Sequence, residues 1–207
     1  MVNGVRQTTS GVVLTSSGVA QTVVSGGGPT IVDDYEDNDL SEYSNPGAYT
    51  TQTGTVYEGT YAVANTGSSN NQFLYSTSGL PAYPQQGDTY SAWAHDYDGG
   101  IPEVAYGVQG SSSYYSMTVI PDSDEIRIRK ETTDLASNSS VSLSQGNWYE
   151  CVMTWATDGS MLFEIYDTSG TKLGDVSTTD GSYTDGGIGL RNGRGGNGCA
   201  MDYARIL

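Results

Sequence analysis

The stretch WYECVMTWATDGSMLFEIYD, residues 148–167, has the pattern of a β-hairpin. Its first half alternates Tyr149, Cys151, Met153 and Trp155 with Trp148, Glu150, Val152 and Thr154, the period-two pattern of a strand. Asp158-Gly159 then supplies a strong hairpin turn signal before the next apolar run. The face that carries Tyr149 and Trp155 is the better core face.

The same alternation recurs along most of the chain, with Gly, Asn, Asp and Ser between the runs. No stretch has a convincing amphipathic helical period. Because short strands bury one face each only by stacking, we predict an all-β, antiparallel two-sheet jelly-roll sandwich. The predicted strands are residues 61–65, 72–76, 89–97, 103–109, 114–120, 125–131, 148–156, 161–167, 172–177, 187–191 and 200–206.

The composition is strongly acidic, with 24 Asp and Glu against 8 Lys and Arg and a formal net charge of -16. A negative field of this size disfavours nucleic acid as a partner. The 16 Tyr and 3 Trp supply the apolar surface that acidic disordered chains lack. The acidic, lysine-poor balance resembles proteins of halophilic archaea and their viruses, and an ordinary acidic secreted bacterial domain is the alternative.

The sequence has no apolar run long enough for a transmembrane helix, so we predict no membrane insertion. The first thirty residues have neither a basic region nor an apolar core of a signal peptide, which predicts that the chain carries no export signal. The two cysteines, Cys151 and Cys199, both lie in apolar strand patterns. Buried free thiols are the favoured interpretation, and one disulfide is the alternative.

Residues 1–30 differ in kind from residues 31–207, because their β-prone runs are too short and polar to form a core. We predict an extended N-terminal anchoring arm that gains order by adding strands to another subunit or a scaffold, through Val12, Val13, Leu14, Val23 and Val24. The alternative is that this arm folds back onto its own domain.

From residue 31 onward, several phrases recur in a familiar order. They are Asp33-Asp-Tyr-Glu-Asp37, Leu40-Ser-Glu-Tyr43, Val56-Tyr-Glu-Gly-Thr-Tyr-Ala62, Trp148-Tyr-Glu150, Gly186-Gly-Ile-Gly-Leu-Arg191 and Met201-Asp-Tyr-Ala-Arg-Ile206. In this order they resemble the concanavalin A-like (LamG-type) jelly-roll domains of haloarchaeal secreted and viral surface proteins. The resemblance implies a jelly roll over residues 31–207, in a family that includes glycan-binding modules, glycoside hydrolases and virion surface proteins.

Aromatic residues on one strand are the first candidate site, since glycan sites combine aromatic rings with planar hydrogen-bonding groups. Trp93, His95 and Tyr97 project to one side of a predicted strand next to Asp98. Tyr106 and Tyr115 lie on the strands that follow. We predict a glycan platform from these six residues, with core packing of the larger rings as the alternative.

The acidic cluster between Ile31 and Asn45 is a candidate calcium site, because calcium prefers carboxylate and carbonyl oxygens. Asp34, Asp37 and Asp39 on a strand-entry loop are the predicted ligands, and the family resemblance implies Asp202 on the last strand as their partner. Such a calcium would be structural. A solvated acidic surface is the alternative, and no other cofactor is predicted.

Catalytic signals are weak. The paired-carboxylate pattern Glu-x-Asp-x-x-Glu of hydrolases that resemble this chain does not occur, and Glu164 and Asp167 fall on opposite faces of a strand. His95 is the sole histidine, and no Gly-x-Ser-x-Gly motif accompanies it. We therefore predict that the protein is not an enzyme.

These observations lead to two functional hypotheses. The first is a virion surface subunit of a halophilic archaeal virus, a turret, spike or tail fibre. It would assemble in the host cytoplasm with copies of itself and other virion proteins, and would contact a host surface glycan or glycoprotein. The second is a stand-alone, extracellular carbohydrate-binding or adhesion module of a halophile.

The charge balance yields a first prediction about salt. Raising NaCl from about 0.1 M to about 2 M should raise the melting temperature, since the Debye length falls to about 3 Å near 1 M and repulsion among carboxylates is screened. Thermal unfolding followed by circular dichroism measures this. A melting temperature that does not change with salt would contradict the interpretation of the chain as salt-adapted.

Overall fold

The protein is all-β and folds as a sandwich of two antiparallel sheets. The structure, a computed structural model, describes residues 28–44, 47–65, 72–97, 99–194 and 198–207 and, by backbone alone, residues 12–14, 20–22 and 46. Its strands are β1 Val12–Leu14, β2 Ala20–Thr22, β3 Thr30–Asp33, β4 Thr50–Gln52, β5 Ala62–Asn65, β6 Phe73–Ser76, β7 Thr89–Asp96, β8 Pro102–Gly110, β9 Ser113–Ile120, β10 Glu125–Lys130, β11 Thr133–Asn138, β12 Trp148–Trp155, β13 Ser160–Tyr166, β14 Lys172–Thr179, β15 Gly187–Asn192 and β16 Cys199–Ile206. Two short 3₁₀ turns, Pro46–Ala48 and Pro121–Ser123, are the only helical elements in the described part.

The larger sheet has eight strands in the order β14-β13-β12-β7-β16-β5-β4, with β3 also paired to β16. The smaller sheet has six strands in the order β11-β10-β9-β8-β15-β6. Neighbours such as β7 and β16 are far apart in sequence, whereas the consecutive strands β7 and β8 lie in different sheets, so the chain crosses between the two layers. This arrangement confirms the predicted two-sheet sandwich.

Each strand predicted from the sequence is present, with ends that differ by at most two residues. The strands that the pattern missed include β3, β4 and β11. The sequence of β11, Thr133–Asn138, is polar, and this strand lies at the edge of its sheet with β10 as its one neighbour. An edge strand that buries little apolar surface has no clear alternation for a sequence pattern to detect.

The predicted N-terminal arm is described in part. β1 and β2 pair antiparallel with each other, in a two-stranded sheet separate from the two layers. Val12, Val13 and Leu14 lie in β1 by backbone alone, and Val23 and Val24 lie outside the described residues. The anchoring role of this arm therefore stays a prediction.

The core lies between the two sheets and is rich in aromatic rings. Trp155, on the predicted core face of β12, is 1% exposed, and its ring meets Tyr106 edge-on at 5.4 Å and Tyr115 at 5.9 Å. Tyr106 donates its hydroxyl hydrogen to the sulfur of Met161 at 2.9 Å, and Tyr115 donates to the backbone oxygen of Asp180 at 3.2 Å. These rings join the two layers.

This packing corrects part of the predicted glycan platform. Tyr106 and Tyr115 are both 0% exposed and belong to the core between the sheets. Tyr106 shares the inner face of β8 with Val104, and Tyr115 shares the inner face of β9 with Met117. A ligand at the surface cannot reach either ring.

Both cysteines are free and buried, as the favoured interpretation of the sequence predicted. Burial raises the pKa of both thiols far above the ordinary value. Within the described residues, no helix has the length and apolar character needed to cross a membrane.

The core packing predicts a large loss of stability for Trp155→Ala. Removal of this ring should lower the free energy of unfolding by about 3–5 kcal/mol, because a cavity remains between the sheets. Urea unfolding followed by tyrosine fluorescence measures the loss. Trp148→Ala, at a partly exposed site on the same strand, is the control and should cost much less; equal losses would contradict the role assigned to Trp155.

Candidate functional site

The outer face of the eight-stranded sheet carries a group of aromatic side chains from different parts of the chain. Tyr90, Ala92 and Ala94 of β7 point into the core, so Trp93 and His95 between them point outward. Trp148 lies opposite His95 on β12, Tyr97 follows the end of β7, and Tyr57 comes from the loop before β5. We call Tyr57, Trp93, His95, Tyr97 and Trp148 the aromatic face.

The five rings contact one another in a continuous chain. Tyr57 stacks on Trp93, with ring centroids 3.6 Å apart and planes inclined by 14°. The ring centroid of Trp148 lies 6.2 Å from that of Tyr57, in an edge-on arrangement, and 5.1 Å from that of His95. His95 in turn lies 4.9 Å from Tyr97. The face therefore forms one surface.

Two layers can be distinguished within the aromatic face. Trp93 and His95 are only 4% and 6% exposed, whereas Tyr57, Tyr97 and Trp148 are partly exposed. The structure thus corrects the prediction that Trp93 and His95 themselves form the accessible platform, since the other three rings cover them. The predicted residue Asp98 lies outside the described residues.

Carboxylates hold the loop that carries Tyr57 in place. The Oδ2 atom of Asp202 accepts the backbone N–H of Tyr57 at 2.9 Å and that of Glu58 at 3.1 Å. The Oε1 atom of Glu36 accepts the N–H groups of Thr60 and Tyr61 at 2.7 and 2.9 Å. Because these bonds satisfy backbone donors of an irregular loop, Tyr57 has a defined position above Trp93.

The same loop needs a glycine at position 59. Gly59 has a φ of +71°, a left-handed conformation that other residues rarely adopt. A Cβ atom there would collide with the Glu36 carboxylate that binds the loop. The loop conformation and its anchor therefore depend on each other.

Charged and polar groups lie beside the rings. Glu150 on β12 is the cross-strand neighbour of Trp93 and accepts hydrogen bonds from Ser91 Oγ at 2.5 Å and from the Arg205 guanidinium at 2.7 Å. Arg205 also lies over the ring of Tyr203, 5.0 Å from its centroid. These contacts fix a planar cation and a planar anion at the edge of the aromatic face.

Two buried nitrogen atoms of the face lack a hydrogen-bond partner in the described part of the chain, namely Trp93 Nε1 and His95 Nδ1. The other ring nitrogen of His95 lies 3.1 Å from the carbonyl oxygen of Gly146. Burial lowers the pKa of His95, and nearby Asp96 opposes this shift. The imidazole is therefore neutral at neutral pH.

The four predicted calcium ligands do not form a shared site. Asp34 accepts the N–H of Glu36, Asp37 that of Asp39, and Asp39 those of Leu40 and Ser41, while Asp202 holds the Tyr57 loop. In the part of the chain that the structure describes, no group of three or more His, Cys, Asp or Glu could hold a metal ion. Short-range turn bonds use these oxygens instead, which corrects the four-aspartate prediction.

Two carboxylates flank Trp93, Glu150 on one neighbouring strand and Asp202 on the other. Glycoside hydrolases use a pair of carboxylates that flank the scissile bond. Asp202 is 0% exposed, however, and lies beneath the Tyr57 loop, and Tyr57 covers the ring between the two acids. Within the described residues, the two carboxylates therefore do not share an accessible cleft.

Sequence reasoning missed Tyr57, Trp148, Glu150 and Arg205 as members of this site. A signal existed for Trp148 and Glu150, since they alternate with the core residues of β12 and must face outward. That β12 lies beside β7 was not visible in the sequence. Tyr57 lies outside any strand, so alternation could not place it.

Comparisons with known proteins show the fold. No family model matches the chain, and no curated protein sequence matches it. Among solved structures, carbohydrate-binding module CBM66 from Bacillus subtilis has a TM-score of 0.50 and 16% identity, covering 76% of this chain and 93% of the module. A provisionally assigned glycosyl hydrolase from Parabacteroides distasonis has a TM-score of 0.55 and 11% identity, covering 87% of this chain and 99% of that protein.

A third similar structure is the exoplasmic/lumenal domain of VIP36 in a form bound to Ca²⁺ and Man3GlcNAc. Its TM-score is 0.53 at 9% identity, with 86% of each chain covered. The chain thus has the jelly-roll fold of carbohydrate-binding modules and lectin-like proteins, in agreement with the concanavalin A-like resemblance. These likenesses carry no viral or haloarchaeal link.

The buried carboxylate at the base of the site predicts a pH dependence of stability. Burial raises the pKa of Asp202 from 3.8 to about 6, and the backbone donors oppose this shift only in part. Between about pH 4 and pH 6 the folded chain therefore holds a proton that the unfolded chain releases. The contribution of this group to stability rises as pH falls through 6 and is constant well above it.

Replacement Asp202→Asn should remove this contribution. The wild type should gain stability relative to Asp202→Asn between about pH 7 and about pH 5, as measured by urea unfolding at both values. Asp39→Asn is the control, because hydrogen bonding to Ser41 lowers the pKa of Asp39. The ionisation of Asp39 therefore changes stability only at pH values below this range. A stability difference between wild type and Asp202→Asn that is the same at both pH values would contradict the shifted pKa.

Proposed function

We propose that the protein is a non-catalytic carbohydrate-binding module that holds a glycan against the aromatic face. The observation that carries this proposal is the accessible layer of Tyr57, Tyr97 and Trp148, supported from below by Trp93 and His95. Sugar rings present C–H groups that pack on aromatic rings, and their hydroxyls need planar hydrogen-bonding partners. Glu150 and Arg205 supply such partners at the edge of the face.

The rigidity of the face supports the proposal. Tyr57 is stacked on Trp93, and its loop is tied to Asp202 and Glu36 by four backbone hydrogen bonds. Side chains that are already ordered lose less conformational entropy when a ligand binds. A weak ligand such as a sugar chain benefits from this preorganisation.

The charge of the chain favours a neutral glycan over an acidic one. The formal net charge is -16, and near the aromatic face Glu58, Glu150 and Asp202 outnumber Arg205. The guanidinium of Arg205 is already paired with Glu150. A polyuronate would therefore meet repulsion, with no unpaired cation among the described residues of this site to offset it.

The absence of catalysis is part of the same proposal. It rests on the burial of Asp202, which keeps the two carboxylates beside Trp93 from sharing a cleft. One similar structure is a provisionally assigned glycosyl hydrolase, so an activity assay on the binding polysaccharide belongs with the binding measurement. Release of reducing ends would overturn the non-catalytic assignment.

The carbohydrate-binding alternative has more support than the virion hypothesis, because proteins of similar fold include a carbohydrate-binding module and a glycan-bound lectin-like domain. An extracellular location goes with this proposal. A virion location, a halophilic archaeal virus as source, association with copies of itself and other virion proteins, and a structural calcium stay predictions.

The proposal predicts that Tyr57→Ala and Trp148→Ala each weaken glycan binding by roughly tenfold or more, since each removes an accessible ring. Affinity electrophoresis against neutral polysaccharides such as cellulose, xylan and mannan, with polygalacturonate as the acidic comparison, measures the effect.

The matched control is Tyr75→Ala, a partly buried tyrosine of the six-stranded sheet that contacts Phe73. This variant should bind like the wild type. Unchanged binding in both Tyr57→Ala and Trp148→Ala, or tighter binding of polygalacturonate than of every neutral polymer, would contradict the proposal.

A further inference from the structure

A second concave site lies away from the aromatic face. A cavity of about 380 Å³ opens where the residues after β6, the loop before β7, the end of β8 and the start of β15 meet. Its lining includes Thr77, Tyr83, Gln85, Gln109 and Asp185. Gln85 precedes the first residue of β7, whereas Tyr97 follows the last, so the cavity and the far end of the aromatic face are separated by the length of that strand.

The walls of the cavity are braced by hydrogen bonds. Gln109 Nε2 donates to the backbone oxygen of Asp185 at 2.7 Å, and the backbone N–H of Gln86 donates to Thr184 at 2.8 Å. The Tyr83 hydroxyl lies 2.7 Å from Ser76 Oγ and accepts the N–H of Leu80 at 3.0 Å. These bonds connect all the segments around the opening, so the cavity is preformed.

The lining combines a ring with uncharged polar groups. Among the lining residues the ring of Tyr83 is partly exposed, whereas Pro84 and Val108 are buried. Thr77 and the two glutamines supply a hydroxyl and amides. The side chains of Gln85 and Asp185 are exposed and make no hydrogen bond to other described residues. An amide that both donates and accepts, beside a carboxylate that accepts, matches the hydroxyl groups of a polyol.

The absence of positive charge narrows the ligand class. None of the described lining residues is Lys, Arg or His, and the one charged group is the carboxylate of Asp185. A phosphate or a uronate would have no cationic partner there and would be repelled. The volume lies near the lower end of the roughly 300–1,000 Å³ range of small-molecule sites, which suits one or two sugar rings and not a long chain.

We propose that this cavity is a second carbohydrate site, one that takes a single neutral sugar residue, such as the end of a glycan chain, between Tyr83 and the groups of Gln85, Gln109 and Asp185. The inference rests on the proposed carbohydrate-binding function but not on the aromatic face. With two separated sites, one molecule could engage a glycan surface at two points, which increases avidity without new contacts at either site.

The test is a titration of the ¹⁵N-labelled full chain with glucose, galactose, mannose and fructose, each followed by amide spectra that include the side-chain amides. At least one sugar should produce saturable shifts at Gln85, Gln109 and Gly186. The double variant Gln85→Ala, Asp185→Ala should bind that sugar about tenfold more weakly, because two polar partners are removed.

Two controls make the result specific. Gln86→Ala changes the neighbouring glutamine, which does not line the cavity, and should leave the shifts unchanged. Trp148→Ala should leave them unchanged as well, although it weakens binding of polysaccharide at the aromatic face.

Each other outcome is decisive. Shifts confined to the aromatic face and abolished by Trp148→Ala would overturn the second site and leave the proposed function intact. No saturable shift with any of the four sugars, while polysaccharide binding persists, would also overturn the second site alone. If the wild type binds neither the four sugars nor any polysaccharide, the proposed function and the second site are both overturned.

Discussion

The antiparallel pairing of β7 with β12 on one side and with β16 on the other is the constraint on which the rest of the structure depends. Because side chains alternate along a strand, the register that sends Ala92 and Ala94 into the core also sends Trp93 and His95 outward. A slip of one residue would place Trp93 between the sheets and expose the alanines. The core and the aromatic face are thus two results of one register.

Small residues at the inner positions of β7 are matched by large ones elsewhere in the core. Trp155, Tyr106 and Tyr115 fill the space between the layers. Trp155 meets both tyrosines edge-on, and the two tyrosine rings are tilted against each other. Protein interiors contain few voids, so the large volume of these rings has to fill the space that the small alanines leave. The positions of Trp93 and His95 on the outer face of the sheet therefore depend on packing within the core.

Carboxylates have a structural role in this acidic chain that its composition does not reveal. Asp202 and Glu36 hold the Tyr57 loop, and Asp33 accepts the N–H of Tyr35 and the hydroxyl of Tyr43 at 2.8 and 2.7 Å. Burial raises the pKa of Asp33 and of Asp202 to about 6. Part of the acidic excess therefore satisfies backbone donors of irregular loops, the groups that a β-sandwich with long connections leaves without ladder partners.

The alternation of polar and apolar residues in the sequence determined the all-β class, most strand positions and the core face of β12, because these depend on local periodicity and on burial of one face. It also placed Trp93, His95 and Tyr97 on one side of a strand. Only the tertiary structure decided which outward rings remain accessible, since Tyr57 covers Trp93 from a loop far away in the chain, and Tyr106 and Tyr115 proved to be core residues. The acidic run after Ile31 was visible in the sequence, but its use in turns and loop anchors was not. Pairing between distant strands and the path of loops depend on contacts across the whole fold, and no local pattern encodes them.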